Sequence, residues 1–201
     1  MATPTRGRPR SFDRDAALDK AIRLFWRKGY EATSISDLTG ELGIGAPSLY
    51  AAFGDKQQLF NEAIEVYGAR YGRFAARALD EEPTARDAII RTLREAAIEY
   101  TLPGRPTGCM VISAAQNTAN NDVATRLERM RTANVAAFAE RIREDVAAGI
   151  LPAETNPAAL ARYVGSLMQG MSQSAQDGAG RDELEKVAEL GVLAIPTPRA
   201  G

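Results

Sequence analysis

Apolar side chains recur every three or four positions along most of the chain, which is the spacing of one face of an α-helix. The first such stripe contains Leu18, Ile22 and Trp26, with Asp13 placed to cap the helix and Gly29 placed to end it. No segment shows the sustained alternation of apolar and polar residues that a half-buried strand requires. The pattern predicts an all-α protein of about nine helices with no internal repeat.

Two short helices are expected directly after the first one. Ser34 and Asp37 have the spacing of a capping box, and the helix that they open ends near Leu42. Residues 43–45, Gly-Ile-Gly, form a turn, and the next helix covers about 46–53, with a proline that its first turn tolerates. This layout predicts a helix-turn-helix, a unit whose second helix fits the DNA major groove.

Capping residues and apolar stripes also place the later helices. A long helix from Asp55 carries apolar residues as far as Ala78, so it belongs partly to each half of the chain. The remaining helices are expected from Thr84, as a short buried helix from Cys109, from Asn120, after Asn156, and over about 184–193.

Charge is distributed unevenly along the chain. Residues 1–30 carry eight basic and three acidic side chains, or +5, so the rest must carry −6 to give the total of −1. A basic end on an acidic body is typical of a protein that contacts phosphate at one end. A solvated tail without a partner is the alternative.

Several classes of site are not expected. The chain has no His, which is the commonest general base and metal ligand, and it has a single Cys. It also lacks a phosphate-binding loop and a nucleophile-elbow motif. The sequence therefore predicts no enzyme, no metal and no cofactor. Because no apolar run approaches ~18 residues and no signal peptide is apparent, we expect a cytoplasmic protein with no membrane partner.

The helix-turn-helix region resembles a known family. Residues 33–59 are similar to the DNA-binding domain of the tetracycline-repressor (TetR) family of transcriptional regulators. The matching positions are Gly43, Ile44, Ser48, Leu49, Tyr50, Phe53, Lys56 and Leu59, preceded by Phe25, Gly29, Tyr30 and Thr33. The match keeps one register over about 45 residues, whereas residues 60–201 agree only in helix number and layout.

The resemblance implies a homodimer with two domains in each chain. Residues 1–56 would form a three-helix DNA-binding domain with a basic N-terminal arm, and residues 57–201 an effector-binding and dimerisation domain. The usual activity of the family is repression that a small molecule relieves. We therefore expect a ligand-responsive repressor that binds a pseudo-palindromic operator.

The expected DNA contacts lie on the second and third helices and on the arm. Small residues at the start of the recognition helix allow close approach to base edges and thymine methyls, although Ala51 and Ala52 replace the larger groups of many relatives. Phosphate contacts and an arm in the minor groove complete the set. The candidates are Ala46, Pro47, Ser48, Tyr50, Ser34, Ser36, Lys56, Arg6, Arg8 and Arg10. For Tyr50 a place in the core is the alternative, and Leu49 and Phe53 are expected in the core.

The effector candidates are mostly aromatic or apolar, which suits a hydrophobic or aromatic small molecule. They are Tyr67, Tyr71, Tyr100, Cys109, Met110, Ser113, Gln116, Asn134, Phe138 and Met168. Asn134 shares a helix face with apolar residues, where it either binds the ligand or bonds within the core. The other stripes are open to the same alternative of plain core packing. Cys109 follows a glycine near a helix start, so it is either a reactive sensor or a buried structural thiol.

The last two helices carry more apolar surface than one pair is expected to cover. A four-helix bundle between two subunits would bury it, and packing inside one subunit is the alternative. The interface candidates are Leu160, Tyr163, Val164, Leu167, Met171, Leu184, Val187 and Leu190. Two rival functions remain: a constitutive DNA-binding regulator without an effector, and a helical small-molecule-binding protein with a vestigial helix-turn-helix.

Overall fold

The computed structural model describes residues 12–114 and 118–197, and within them every regular element is a helix. The helices are α1 Arg14–Lys28, α2 Ile35–Leu42, α3 Ala46–Phe53, α4 Lys56–Arg70, α5 Phe74–Glu81, α6 Ala85–Tyr100, α7 Met110–Ser113, α8 Asn121–Ala147, α9 Pro157–Gln176 and α10 Arg181–Val192. The all-α class expected from the sequence is confirmed. None of these helices is long and apolar enough to cross a membrane.

Capping side chains set the starts of the first helices. The carboxylate of Asp13 accepts from the N–H groups of Asp15 and Ala16 at the start of α1. Ser34 and Asp37 form the expected reciprocal capping box at the start of α2. Gly43 ends α2 in a left-handed conformation with a φ of 72°, which glycine adopts without the steric cost of a Cβ.

The helix expected to run from Asp55 through Ala78 is two helices, so the described residues hold ten helices. The chain leaves the α4 geometry at Tyr71, and the N–H of Gly72 bonds to the carbonyl of Tyr67 at 3.3 Å. Gly68 and Gly72 lower the helix propensity of this segment, and α5 then begins at Phe74. The apolar stripe alone did not indicate this break.

Two apolar cores divide the molecule. The first core joins α1 to α4 and also takes in α7 and the start of α8, with Trp26, Phe25 and Phe60 among its largest buried side chains. The second core is formed by α5, α6, α8, α9 and α10. Because the first core extends along α4 to Tyr67, α4 is packed into it for most of its length.

The last two helices are packed inside the subunit more deeply than the expected interface implies. Leu160, Val164, Met171 and Leu184 belong to the second core and are at most 9% exposed. Tyr163, Leu167 and Val187 are half-buried, and Leu190 remains exposed. The first four are buried because α9 packs against α8 and α6, and α10 packs against α6, so the covering surface lies within the same chain. They are therefore core residues and have little surface left to offer a partner.

Candidate DNA-binding and effector sites

Helix α3 presents one face to the core and the other to solvent. Leu49 and Phe53 are 0% and 5% exposed, as expected for core positions. Pro47, Ser48 and Ala51 are exposed on the opposite face, and Ala46 and Ala52 are half-buried. The free face therefore consists of small side chains, which allow a surface to approach the helix backbone closely.

Tyr50 lies on the exposed face of α3. Half of its surface is accessible, which excludes the alternative of a core tyrosine. Its hydroxyl forms no hydrogen bond with the residues that the structure describes. An exposed phenol with a free hydroxyl is suited to donate to a phosphate oxygen.

The three other candidates for phosphate contact among the described residues differ in exposure and in the contacts that their polar groups already make. Ser36 is exposed at the second position of α2. The Ser34 hydroxyl already serves the capping box, where it donates to the Asp37 carboxylate at 2.8 Å. The Lys56 ammonium lies 4.3 Å from the centre of the Tyr30 ring, and partial burial lowers the pKa of Lys56. Lys56 is thus a positioned cation at the start of α4.

Ion pairs hold the helix-turn-helix in place. Arg14 binds both carboxylate oxygens of Glu62 at 2.6 and 2.7 Å and lies over the ring of Phe53, which joins α1 to the end of α3 and to α4. Lys28 pairs with Asp37 at 2.7 Å and so joins α1 to α2. The bonds from Lys28, then those from Ser34, hold the pKa of Asp37 well below its usual range.

An apolar cavity of about 370 Å³ lies between the end of α4 and helices α5 to α9. Six of the ten effector candidates line it: Tyr67, Tyr100, Cys109, Asn134, Phe138 and Met168. Tyr67, Tyr100 and Phe138 are buried, whereas Asn134 is exposed at the rim. The exposure of Asn134 excludes its alternative role as a core residue. The volume is within the range of small-molecule sites.

Three effector candidates lie away from this cavity. Tyr71 is turned toward Trp26, with ring centres 5.5 Å apart, because α4 ends just before it. Met110 is buried in the first core. Ser113 lines a separate cleft of about 550 Å³ beside the end of α1, and its hydroxyl donates to the carbonyls of Trp26 and Cys109. Gln116 lies outside the described residues, as do Arg6, Arg8 and Arg10 of the arm.

The sequence did not identify most of the polar and small residues at the cavity. Arg73, Arg131 and Gln169 line it, and so do Gly68 and Gly72 at the α4–α5 break. A Cβ at Gly68 would meet nothing within 4 Å, so the missing side chain leaves open space. The two glycines four residues apart were the available signal, since they interrupt an otherwise apolar helix face.

Cys109 lines the cavity as a neutral thiol. Burial raises the pKa of Cys109, although hydrogen bonding to Tyr67 and to backbone groups of α7 opposes the shift. Helix α7 has only four residues, and the low thiol pKa expected at a helix start is not what its surroundings produce. This favours the structural role over the reactive sensor. No group of three or more potential metal ligands occurs among the described residues.

Tyr67 connects the cavity to the first core. Its hydroxyl accepts from the N–H of Met110 at 3.2 Å, and its ring meets the Trp26 ring edge-on with centres 4.8 Å apart. Trp26 belongs to α1, which packs on α2 and α4. A displacement of Tyr67 would therefore reach the helix-turn-helix through direct contacts.

Comparison with known proteins identifies the family to which this chain is similar. The model for bacterial regulatory proteins of the tetR family matches residues 17–63. The transcriptional repressor ComR of Escherichia coli K12 is 35% identical over 187 residues, which cover 92% of this chain and 89% of ComR. The repressor BdcR of the same organism is 28% identical over 193 residues, which cover 95% of this chain and 93% of BdcR.

Solved structures give the same result. A cysteine mutant of the TetR family transcriptional regulator CifR, in complex with 26-bp operator DNA, has a TM-score of 0.86 and 39% identity. The match covers 94% of this chain and all of CifR. A putative TetR regulator from Rhodococcus sp. RHA1 has a TM-score of 0.63 and 38% identity, covering 90% and 98% of the two chains. The chain described here therefore belongs to the TetR family of DNA-binding transcriptional regulators.

Proposed function

We propose that this protein is a ligand-responsive repressor, in which each subunit of a homodimer inserts α3 into one major-groove half-site of its operator. The observation that carries the proposal is the path of α4. This helix begins at Lys56, directly after the recognition helix, and its far end at Tyr67 and Gly68 lines the apolar cavity. One rigid element thus joins the DNA-contacting surface to a site for a small molecule.

The proposed DNA contacts follow from exposure and chemistry. The exposed start of α3, with Pro47 and Ser48 beside half-buried Ala46, is assigned to base edges. The free hydroxyl of Tyr50 and the positioned ammonium of Lys56 are assigned to phosphates, with Ser34 and Ser36 at the start of α2. The arm that carries Arg6, Arg8 and Arg10 is assigned to the minor groove. The division at residue 56 into DNA-binding and effector domains remains part of the proposal.

The proposed switch is a displacement of the α4 end by the effector. Tyr67 contacts both the cavity and Trp26, so a ligand that moves Tyr67 changes how α1 and α4 sit together. Two recognition helices must be about 34–36 Å apart to fill successive half-sites, and a shift of a few Å at each subunit would misplace one of them.

The proposed dimer surface is formed by the exposed side of α9 and α10. Leu190 and Leu193 are 68% and 79% exposed, which is unusual for large apolar side chains. The half-buried Tyr163, Leu167 and Val187 belong to the same two helices. Apolar surface of this kind is expected at an isologous interface between two copies.

Both rival functions lose support. A constitutive regulator would fill its second core with its own side chains, whereas this core contains a cavity of about 370 Å³. The similar proteins that span nearly the whole chain are named as transcriptional repressors, not as enzymes, which weighs against a vestigial helix-turn-helix.

The test is fluorescence anisotropy of the full chain on DNA from its own promoter and on scrambled DNA, across a salt series. We expect specific binding with a steep salt dependence, which Tyr50→Ala combined with Lys56→Ala abolishes. The matched control is Arg129→Gln, which removes an exposed positive charge from α8, outside the helix-turn-helix, and is expected to leave operator affinity unchanged. Equal binding to both DNAs would contradict the proposal.

A further inference from the structure

The charges around the cavity are all of one sign. Arg73 and Arg131 line it, and no Asp or Glu occurs among the described residues that form its wall. The Arg131 guanidinium donates to the carbonyl of Val111 at 3.1 Å and has no acidic partner there. Arg73 forms neither a hydrogen bond nor an ion pair with the described residues. The cavity thus has two guanidinium groups without a counter-charge.

Several arginines elsewhere in the same domain are paired with glutamates. Arg91 pairs with Glu82 at 3.0 Å and Glu95 at 2.7 Å, as well as with a third glutamate. Arg126 pairs with Glu65 at 2.7 Å. Some surface arginines also lack an acidic partner, but they do not line the apolar cavity. A guanidinium beside an apolar wall loses part of its hydration, and a bound anion would restore its stabilisation.

The other polar side chains in the wall are neutral. Tyr100 is 3% exposed, and its hydroxyl forms no hydrogen bond with the described residues. Burial raises the pKa of Tyr100, of Tyr67 and of Cys109, so none of the three carries a negative charge at neutral pH. A hydroxyl in the cavity wall that no protein group satisfies is free to donate to a polar atom of a ligand.

The wall is also arranged by polarity. Buried rings from Phe74, Tyr100 and Phe138 form the apolar interior. Arg73, Asn134 and Gln169 are exposed and therefore mark the side that opens to solvent, with Arg131 half-buried beside them. A ligand can bury an apolar body against the rings while its charged group stays near the guanidinium groups.

We propose that the effector is a compact organic carboxylate, whose apolar body occupies the aromatic interior and whose carboxylate pairs with Arg131 and Arg73. The Tyr100 hydroxyl donates to a further oxygen of the ligand where it has one. This inference rests on the proposed function, because the site is the proposed effector site. The volume of about 370 Å³ limits the ligand to the small end of the usual range.

The test compares carboxylates with their neutral amides, which have nearly the same shape. Isothermal titration calorimetry on the full chain would use phenylacetate and phenylacetamide, cinnamate and cinnamamide, and octanoate and octanamide. We expect the carboxylate of at least one pair to bind about tenfold more tightly than its amide or better. The double variant Arg73→Gln with Arg131→Gln should reduce that preference to about threefold or less, and Arg129→Gln should retain it.

Each other outcome overturns the inference. These outcomes are an amide that binds as tightly as its carboxylate, a preference that survives the double variant, and no binding by any of the six compounds. Operator binding by the ligand-free protein is measured in the same preparations. Specific operator binding without carboxylate binding would reject the ligand class alone, whereas the absence of specific operator binding would reject the proposed function itself.

Discussion

The two halves of this molecule use their apolar residues differently. Around α1, α2, α3 and α4, aromatic rings fill the interior, as in the edge-on contact between Phe25 and Phe60 with centres 5.1 Å apart. Around α5 to α9, glycines and short side chains leave an open cavity. A recognition helix needs a fixed orientation, and a regulated domain needs room for a ligand, so aromatic side chains fill the core beneath the recognition helix, whereas the core of the other half keeps a cavity.

The largest effect is expected from the filled half. Leu49 is fully buried under the recognition helix, and Leu49→Ala should lower the free energy of unfolding by about 3 kcal/mol, because it leaves a cavity in a packed core. Urea unfolding followed by circular dichroism measures this change. Ser48→Ala on the exposed side of the same helix is the control and should change stability by less than about 0.5 kcal/mol. A loss below about 1 kcal/mol for Leu49→Ala would show that this half is loosely packed.

Two glycines inside helices differ in the space around them: an added Cβ would have a close contact at one and open space at the other. A Cβ at Gly165 would lie 2.8 Å from Val135 Cγ2, so Gly165→Ala should destabilise the protein by about 1–3 kcal/mol. A Cβ at Gly68 would meet nothing within 4 Å, so Gly68→Ala should stabilise it by about 0.5–1 kcal/mol through helix propensity. Thermal unfolding should show a lower Tm than wild type for Gly165→Ala and a higher Tm for Gly68→Ala. Destabilisation by Gly68→Ala would mean that the cavity is closed at this point.

A smaller effect is expected at the DNA surface. Tyr50→Phe removes only the hydroxyl of an exposed ring, so the fold should be unchanged and operator affinity should fall about three- to tenfold. Anisotropy titrations on the promoter DNA measure this loss, and the unfolding midpoint measured in parallel confirms that the fold is intact. Unchanged affinity would remove the Tyr50 hydroxyl from the set of phosphate contacts.

The smallest effect is a dependence on pH. The pKa of Asp37 is lowered in the folded protein by Lys28 and Ser34, so its contribution to stability is present above the unfolded-state pKa of about 3.9. That contribution is lost as pH falls from this value through the folded-state pKa. Wild type should therefore have a higher urea midpoint than Asp37→Asn at pH 7, and the gap should narrow below about pH 4. An equal difference in urea midpoint at both pH values would show that the geometry of the cap, and not the charge of Asp37, causes the difference.

The filled half was predictable from the sequence, whereas the open half was predictable only in part. Local rules fixed the first helices, since the caps at Asp13 and Ser34 and the turn at Gly43 act through neighbouring residues. The cavity depends on contacts between distant segments, so Arg73 and Arg131 carried no local sign that they would meet there. The stripe on α9 and α10 also could not reveal that helices of the same chain would cover Leu160 and Leu184, because amphipathic spacing shows that a face is buried but not which element covers it.

The dimer on its operator is tested most directly by the distance between its two DNA-binding halves in the operator complex. Cys109 is the only cysteine, so Cys109→Ser combined with Lys20→Cys places one spin label on the exposed side of each α1, away from the free face of α3. Electron–electron double resonance on promoter DNA should then give a single narrow distance distribution, because two successive half-sites hold the recognition helices ~34–36 Å apart. The absence of dipolar coupling between subunits, or the same distance distribution on scrambled DNA, would contradict a dimer that places its two recognition helices in successive half-sites.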